Sequence, residues 1–306
     1  MIIASIDIGS NTILLLIARI NLEKAKLETI QNYYRAPRIS QGLLENGNIS
    51  SEKINKLLNV LEEYKSIIEQ YNCSKVFIVA TNAFRIANNA KEILDLIKIK
   101  YNWTINIIDG EEEAKLSYLG ATYEYSSKEK VVIDIGGGST EIIYGQNDEI
   151  RFKKSFPIGV VSLTEKFIKN EIPTETEIIK LTNELNEVFK ILDNIPKKIF
   201  TIAVAGTPTT LSCIKQNIKN YNEQLVDNSI LTYNDVTNIA DTLASMSGMQ
   251  IKEKYGQVVE GREDVLFTGT IILKTIMEKL ELEKITVSNK GLRYGVIVDY
   301  MKNLLQ

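Results

Sequence analysis

The chain has 306 residues, of which 44% are hydrophobic and 25% charged, a composition typical of a globular protein long enough for two domains. Its net charge of −3 gives no general attraction for nucleic acid or an anionic membrane, so we expect neither as a partner. The absence of histidine excludes a Ser-His-Asp triad, a His-based zinc site and an imidazole general base. Chemistry must therefore depend on carboxylates, hydroxyls, backbone amides, Lys, Arg and a hard metal ion such as Mg²⁺.

The first half of the chain predicts three strands followed by alternating helices and strands. The strands are MIIASIDIG, NTILLLIARI and KLETIQNYY. A helix is predicted over Ser51–Tyr71, where apolar residues recur in steps of three and four. KVFIVAT is then a strand, Asn82–Lys98 a helix, TINIID a strand and Glu111–Tyr123 a helix. The run TILLLIA is too short to span a bilayer and has no signal-peptide features.

The same pattern restarts in the second half. Three strands are predicted at 131–136, 139–145 and 150–156. The later elements are helices at about 160–169 and 174–193, the strand IFTIAVAG, helices at about 207–218, 233–246 and 264–280, the strand KITVS and a helix from Leu292 to Leu305. The two cysteines, Cys73 and Cys213, have no metal-ligand spacing, which indicates reduced thiols and a cytoplasmic protein.

The two halves begin with related sequences, ASIDIGSNTILLLIA and VVIDIGGGSTEIIYG. This repetition predicts two similar α/β domains with a cleft between them, in which Asp7 and Gly9 face Asp134 and Gly136. We place the boundary near residues 124–129, in the polar segment YEYSSKEK, which gives domains 1–125 and 126–306. The C-terminal helix, at about 292–306, is expected to pack back on the first domain.

The glycine-rich segment IDIGGGSTE predicts a phosphate-binding hairpin. A dinucleotide fingerprint needs a third glycine where Glu141 stands, and a P-loop needs a Lys-Ser/Thr pair that is absent from the segment. The glycines allow backbone amides to approach a bound group, and the hydroxyls of Ser139 and Thr140 add donors. A plain hairpin is the alternative, but the related turn at Asp7–Asn11 favours the phosphate-binding interpretation.

Three further segments supply candidate site residues. In AVAGTPTTL a strand ends at Gly206 and a helix begins near Thr207, which suits an anion, although simple helix capping is the alternative. In DGEEEAKLSYLGA, Glu111 is assigned to the helix dipole, whereas Glu112 or Glu113 can reach into the cleft. In ATNAFR, Arg85 follows a strand end and is a candidate bidentate clamp for phosphate.

Six motifs in order resemble the exopolyphosphatase/guanosine pentaphosphate phosphohydrolase (Ppx/GppA) family of the acetate kinase–actin–Hsp70 superfamily. They are IDIGSNT, ATNAFR, GEEEA, IDIGGGSTE, AGTPTTL and VSNKGLRYG, and they cover essentially the whole chain. The resemblance implies two ribonuclease-H-like α/β domains flanking a central cleft, in a short two-domain form that lacks the histidine-containing C-terminal domain of long members. It also suggests a homodimer.

The resemblance implies hydrolysis of the terminal phosphoanhydride of inorganic polyphosphate, or of the 5′-γ-phosphate of pppGpp, with Mg²⁺ or possibly Mn²⁺. Glu113 would be the general base for the attacking water, while Asp134 and Glu141 would hold the metal and help to position that water. The catalytic residues would be Glu113, Glu141 and Arg85. The phosphate-binding and cleft residues would be Asp7, Gly9, Ser10, Asn11, Thr81, Arg85, Gly136, Gly137, Gly138, Ser139, Thr140, Gly206 and Thr207.

Two positions depart from the family pattern, and three other functions are weighed against polyphosphate hydrolysis. Asn289 and Tyr294 stand where the family usually has Asp and Glu, which puts the local structure near the last helix in doubt. Hydrolysis of pppGpp is the runner-up and cannot be separated by sequence. A kinase would need an acceptor pocket that we cannot identify, and the carboxylates argue against a sensor without turnover.

Overall fold

A computed structural model describes residues 1–125, 129–146 and 149–305. The chain divides into two compact units, Met1–Tyr123 with Lys290–Gln306, and Glu124–Asn289. Each unit contains one mixed β-sheet with its own hydrophobic core. Residues 126–128 of the expected linker lie outside the described residues.

The first unit is built around a five-stranded sheet in the order β3-β2-β1-β4-β5. Its elements, apart from the C-terminal helix, are β1 (Ile2–Ile8), β2 (Ile13–Asn21), β3 (Lys26–Arg35), α1 (Leu43–Asn46), α2 (Ser51–Gln70), β4 (Lys75–Ala80), α3 (Asn82–Ile86), α4 (Ala90–Tyr101), β5 (Asn106–Ile107) and α5 (Gly110–Thr122). β1, β2 and β3 pair antiparallel, and β4 pairs parallel with β1 and β5.

Both faces of the first sheet are covered, because the strands are apolar on both sides. On one face, alternate residues of β1 such as Ile6 join the core formed by Leu57 and Tyr64 of α2, and the Tyr64 hydroxyl donates to the Ile13 carbonyl. On the other face, Ile3 packs with Leu116 of α5. The alternation follows from the two-residue side-chain period of a strand.

The second unit contains a six-stranded sheet in the order β10-β11-β9-β6-β7-β8. Its elements are β6 (Glu129–Ile135), β7 (Thr140–Gln146), β8 (Glu149–Phe156), α6 (Val160–Phe167), α7 (Glu175–Val188), β9 (Thr201–Val204), α8 (Gly206–Lys215), α9 (Glu223–Val226), β10 (Ile230–Thr232), α10 (Tyr233–Ala244), α11 (Gly248–Tyr255), α12 (Leu266–Lys279) and β11 (Lys284–Val287), with short 3-10 helices at Phe189–Asn194 and Gly256–Val259. Here β6, β7 and β8 are antiparallel, while β9 is parallel to β6 and β11.

The last helix, α13 (Leu292–Leu305), belongs to the first unit and packs against α5. A Cβ atom added to Gly295 would lie 1.8 Å from the Leu116 carbonyl oxygen, so only glycine permits this close approach. Tyr294, one of the departures from the family pattern, is buried, and its hydroxyl lies 3.0 Å from Thr29 Oγ1 and from Asn32 Nδ2 on β3. Tyr294 therefore ties α13 to the sheet.

The prediction of one helix over Asn82–Lys98 was wrong. Two helices, α3 and α4, are separated by residues 87–89. The Asn89 side chain accepts from the Ile49 amide at 3.0 Å and donates to the Ile49 carbonyl at 2.9 Å. This pairing with a distant loop replaces the helical hydrogen bonds at the break, as Asn side chains often do.

The α/β prediction with two ribonuclease-H-like domains is confirmed in the two sheets, each of which has an antiparallel three-strand start followed by parallel strands. The predicted elements were incomplete, because the short α1, α9, β10 and α11 were not anticipated, and β5 is only two residues long. Among the helices of the described ranges, none combines the length and apolar character needed to cross a bilayer.

Candidate active site

In the first unit, a tight turn joins β1 to β2 at Gly9–Thr12, and we call it the first turn. The Gly9 amide donates to the Thr12 carbonyl at 2.9 Å. A Cβ atom on Gly9 would lie 3.1 Å from that carbonyl oxygen, which explains the preference for glycine. Ser10 is 3% exposed, and its hydroxyl makes no hydrogen bond with any residue in the described ranges. Such a buried hydroxyl suits a ligand, because leaving it unpaired is costly.

The end of β4 is joined to the same sheet edge. The Thr81 amide donates to the Ile8 carbonyl at 3.2 Å, and the Thr81 carbonyl accepts from the amides of Phe84 and Arg85 at the start of α3. Ligand crevices of α/β sheets form at this carboxyl edge of parallel strands. The predicted residues Asp7, at the end of β1, and Thr81 and Arg85 are therefore grouped at the edge that favours binding.

Arg85 and Glu113 form a largely buried ion pair. Nη1 of Arg85 lies 2.6 Å from Oε2 of Glu113 and donates to the Ile108 carbonyl at 3.0 Å. The side chains are only 19% and 11% exposed. Nε and Nη2 of Arg85 make no hydrogen bond to any described residue, so the guanidinium keeps donors for an anion.

The start of α5 places the two candidate glutamates, Glu112 and Glu113, in different surroundings. Asp109 caps the helix by accepting from the Glu112 amide at 2.8 Å. Glu112 is half-exposed and pairs with Lys115 at 3.4 Å, whereas Glu113 is 8% exposed and pairs with Arg85. Glu111 is exposed. Of the three, Glu113 is the buried one, and its carboxylate is held by Arg85.

In the second unit, the segment Gly136–Ser139 forms the second turn. The Gly136 amide donates to the Ser139 carbonyl at 2.9 Å, as in the first turn. The amides of Gly137, Gly138 and Ser139 have no acceptor within the described part of the chain. Successive free amides at glycines form an anion-binding nest. This geometry supports the phosphate-binding interpretation over a plain hairpin.

Helix α6 fixes the orientation of the second turn. Its first amides use the turn's carbonyls, since Val160 donates to Gly136 at 3.0 Å and Val161 to Gly137 at 2.8 Å. A Cβ atom on Gly159 would lie 2.5 Å from the Gly137 carbonyl oxygen. Gly159 is therefore required for helix and turn to meet, and the sequence analysis did not identify it.

Asp134 and Glu141 are directly opposite each other on β6 and β7. They are 9% and 1% exposed, and Ser155 donates to Oε1 of Glu141 at 2.6 Å. Two buried carboxylates facing each other repel unless a cation lies near them. Mg²⁺ is usually bound by one or two carboxylates together with substrate phosphates, so this pair fits the ion. No group of three or more metal-ligating side chains was found in the described ranges.

Three predicted residues of the second unit have other contacts. The Thr140 hydroxyl donates to the Ile158 carbonyl at 2.8 Å, so its proton is committed within the fold. Thr207 packs on Gly269 of α12, where an added Cβ would lie 2.4 Å from Thr207 Oγ1. Nη1 of Arg262 donates to the Gly206 carbonyl at 3.0 Å. Thr140 and Thr207 contribute here to packing, and Gly206 accommodates a guanidinium.

Sequence reasoning missed several residues whose surroundings depend on contacts between distant parts of the chain. Besides Gly159 and Arg262, these are Arg38 and Lys53 near the first turn. Asn289 was noted in the sequence only as a departure from the family pattern, and the structure adds that it is buried. A groove of about 580 Å³ in the second unit, which includes Tyr233, Glu278 and Lys284, contains none of the predicted site residues.

Comparison with known proteins identifies similar sequences over nearly the whole chain. The chain is 32% identical to the bifunctional 3-dehydroquinate synthase/phosphatase of Fusobacterium nucleatum, over 98% of this chain but only 46% of that protein. It is 29% identical to exopolyphosphatase 2 of Mycobacterium tuberculosis, over 96% of this chain and 97% of that protein.

A solved structure is similarly close. The Aquifex aeolicus member of the Ppx/GppA family is 33% identical, covers 100% of this chain and 99% of its own, and superposes with a TM-score of 0.84. Residues 16–304 match the family model described as Ppx/GppA phosphatase. The chain therefore belongs to the Ppx/GppA phosphatase family.

Proposed function

We propose that this protein is an exopolyphosphatase, a hydrolase that removes the terminal phosphate of inorganic polyphosphate by direct attack of water. The observation that carries the proposal is the second turn, where three free amides stand beside the carboxylates Asp134 and Glu141. The turn suits a phosphate, and the carboxylates suit the metal ion that accompanies it.

In the proposed reaction, the amides of Gly137, Gly138 and Ser139 bind the terminal phosphoryl group. Glu113 accepts a proton from water while the water oxygen bonds to phosphorus and the bridging P–O bond breaks. The electron pair of that bond leaves with the shortened chain. Arg85 positions Glu113 through Nη1, and its remaining donors neutralise charge that develops on the phosphoryl oxygens.

Asp134 and Glu141 would hold Mg²⁺, with Mn²⁺ as a substitute, since both ions prefer oxygen ligands. When bound, the ion would neutralise phosphate charge in the transition state. Ser155 orients one oxygen of Glu141, which fixes the direction of the carboxylate. The thiols of Cys73 and Cys213 are unpaired, in keeping with a proposed cytoplasmic location. A homodimer remains part of the proposal.

Hydrolysis of pppGpp is the second candidate, and Asn289 favours it. This residue is 6% exposed, and neither Oδ1 nor Nδ2 of its side chain makes a hydrogen bond with a described residue. A carboxamide offers one acceptor and one donor pair, which matches the edge of a nucleobase. Polyphosphate has no such edge, so Asn289 would matter only for the nucleotide.

The test is phosphate release from long-chain polyphosphate, pppGpp and ATP, each with and without Mg²⁺. We expect Mg²⁺-dependent release from polyphosphate with the highest kcat/KM. A higher kcat/KM for pppGpp, lost selectively in Asn289→Ala, would establish the second candidate. Absence of release from all three substrates would contradict both hydrolase proposals.

A further inference from the structure

The first unit contains a buried cation, Lys53, that has no anionic partner among the described residues. Lys53, the third residue of α2, is 9% exposed, and its ammonium donates to Oε1 of Gln41 at 2.8 Å. No carboxylate of the described ranges forms an ion pair with it. A buried charge without a counter-ion is costly, and a neutral amide offsets only part of that cost.

The surroundings of Lys53 add to this cost. Burial is the main cause that lowers the pKa of Lys53, and repulsion from Lys56 and Arg38 lowers it further. Glu52 acts in the opposite direction, but its carboxylate pairs with Lys56 at 2.6 Å. The N-terminal end of a helix also carries partial positive charge, which disfavours a cation there. An anion that binds beside Lys53 would offset the cost of burying its charge and the repulsion from the neighbouring cations.

Both cations are tied to the first turn. The Arg38 amide donates to the Asn11 carbonyl at 3.0 Å, and the Ser40 amide donates to the Ser10 carbonyl at 3.0 Å. Gln41, the partner of Lys53, follows directly. Arg38 has φ 54°, a left-handed conformation that is uncommon for a long side chain and costs energy.

The start of α2 is also joined to the helices that follow β4. The Asn88 amide donates to the Gly47 carbonyl at 2.9 Å, and Asn89 bonds Ile49 in both directions. Arg85 lies three residues before Asn88 on the same short connection. Hydrogen bonds therefore connect the start of α2, where Lys53 lies, to the segment that follows α3 and Arg85.

We propose that Lys53, Arg38 and the Ser10 hydroxyl form a subsite for a second phosphate group of the substrate, separate from the phosphoryl group that water attacks. The inference rests on the proposed function for the identity of the polyanion. The chemistry on the page is that of a condensed phosphate: two cations and one buried hydroxyl donor. A single orthophosphate would not need this subsite.

The first experiment measures binding by calorimetry in a Glu113→Gln background with Mg²⁺, which allows tripolyphosphate to be used without turnover. Lys53→Met keeps the aliphatic stem and removes the charge. We expect it to weaken tripolyphosphate binding about 10- to 100-fold while leaving orthophosphate binding unchanged. Lys56→Met is the matched control, because Lys56 lies three residues along the helix, is half-exposed and already has a carboxylate partner. It should change tripolyphosphate binding less than about threefold.

A second readout separates binding from a structural role. If the subsite exists, Lys53→Met should raise the Tm of the ligand-free protein, since a buried charge is removed. It should also reduce the rise in Tm caused by tripolyphosphate. A merely structural Lys53–Gln41 pair predicts a lower Tm in Lys53→Met and unchanged binding, and that result would overturn the proposal.

Gln41→Glu changes the charge at position 41 and leaves the size of that side chain almost unchanged. The new carboxylate would pair with Lys53 and occupy it, so we expect a higher Tm and weaker tripolyphosphate binding. Unchanged binding in both variants, or an equal loss in Lys56→Met, rules out the subsite. Lys53-dependent tripolyphosphate binding without phosphate release from polyphosphate by the wild type would leave the subsite intact and overturn the proposed function instead.

Discussion

The first and second turns have the same backbone and different surroundings. In each, the glycine amide donates to the carbonyl three residues later at 2.9 Å. A Cβ atom on Gly9 or Gly136 would lie 3.1 or 3.0 Å from that carbonyl oxygen. The Ile-Asp-Ile-Gly repeat in the sequence therefore corresponds to a repeat of geometry.

An aspartate, Asp7 or Asp134, precedes each turn by two residues, and the other charged groups near the two turns differ. The first turn is bonded to the segment of Arg38, and Lys53 lies next to that segment. The second turn is preceded by Asp134, which faces Glu141, and it is held by α6. Beyond this shared aspartate, the first turn has cations nearby, whereas the second turn has a further carboxylate, Glu141. The difference shows how one backbone device can serve two tasks, because phosphate needs positive charge and Mg²⁺ needs negative charge.

The largest expected effect is the loss of kcat when the proposed general base, Glu113 of the first unit, is replaced. Glu113→Gln preserves shape and hydrogen bonding but cannot accept a proton. We expect kcat to fall about 10²- to 10⁴-fold, the usual range for loss of a general base. Substrate affinity should hold or improve, since a negative charge near phosphate is removed. Steady-state phosphate release over a range of polyphosphate concentrations measures both quantities.

Glu112→Gln is the matched control for the base. Glu112 is the adjacent residue on α5, and its partner is Lys115 rather than Arg85. Its kcat should stay within about threefold of the wild type, as for the loss of a surface ion pair. Equal damage in both variants would contradict the assignment to Glu113, and wild-type turnover in Glu113→Gln would rule out the mechanism.

The next prediction tests whether the carboxylates beside the second turn, Asp134 and Glu141, bind Mg²⁺. Asp134→Asn keeps an oxygen ligand but removes one charge from the proposed metal site. The Mg²⁺ concentration needed for half-maximal activity should rise more than about tenfold, with the fold intact by circular dichroism. Asp241→Asn, an exposed carboxylate on α10 of the same unit, should leave it unchanged. An unaltered Mg²⁺ requirement in Asp134→Asn would remove this residue from the site.

Sequence alone predicted the two sheets and the main helices because these depend on local periodicity. The alternating or continuous apolar strands and the Ile-Asp-Ile-Gly repeat are visible without any structure. Sequence analysis also identified Arg85 and Glu113 as site residues, although nothing in their spacing of 28 residues indicated that they form an ion pair. That contact depends on β4 and α5 meeting at one edge of the sheet.

Non-local contacts account for what sequence could not supply. Lys53 looks like an ordinary charged residue on an amphipathic helix until its burial is known. Gly159 looks like a helix-start glycine until the Gly137 carbonyl is seen 2.5 Å from the position of its absent Cβ. The helix break before α4 depends on Asn89 bonding Ile49, 40 residues away.

A smaller effect is expected when Arg85 is replaced by lysine. This change tests the guanidinium donors that are left for phosphate separately from the positive charge that pairs with Glu113. Arg85→Lys retains a positive charge for Glu113, but it loses the planar fork that reaches Glu113, Ile108 and a phosphate together. We expect kcat/KM for polyphosphate to fall about tenfold, equivalent to one charge-assisted hydrogen bond. Arg151→Lys, on the exposed face of β8, is the control and should have no effect. Wild-type kinetics in Arg85→Lys at both low and saturating substrate would contradict the clamp.

The smallest effects test whether the two turns are equivalent in backbone and different only in support. Gly9→Ala and Gly136→Ala place a methyl group against a carbonyl at nearly the same distance, and neither glycine has positive φ. Each should therefore destabilise its unit by a similar amount, about 1 kcal/mol, the lower end of the range for overpacking. In scanning calorimetry this corresponds to a fall in Tm of about 2–4 °C. Gly159→Ala should cost more, about 2–3 kcal/mol, because α6 must move away from the second turn. A Gly159→Ala variant as stable as Gly136→Ala would mean that α6 does not hold the second turn, and unequal effects of Gly9→Ala and Gly136→Ala would mean that the turns differ in backbone as well as in charge.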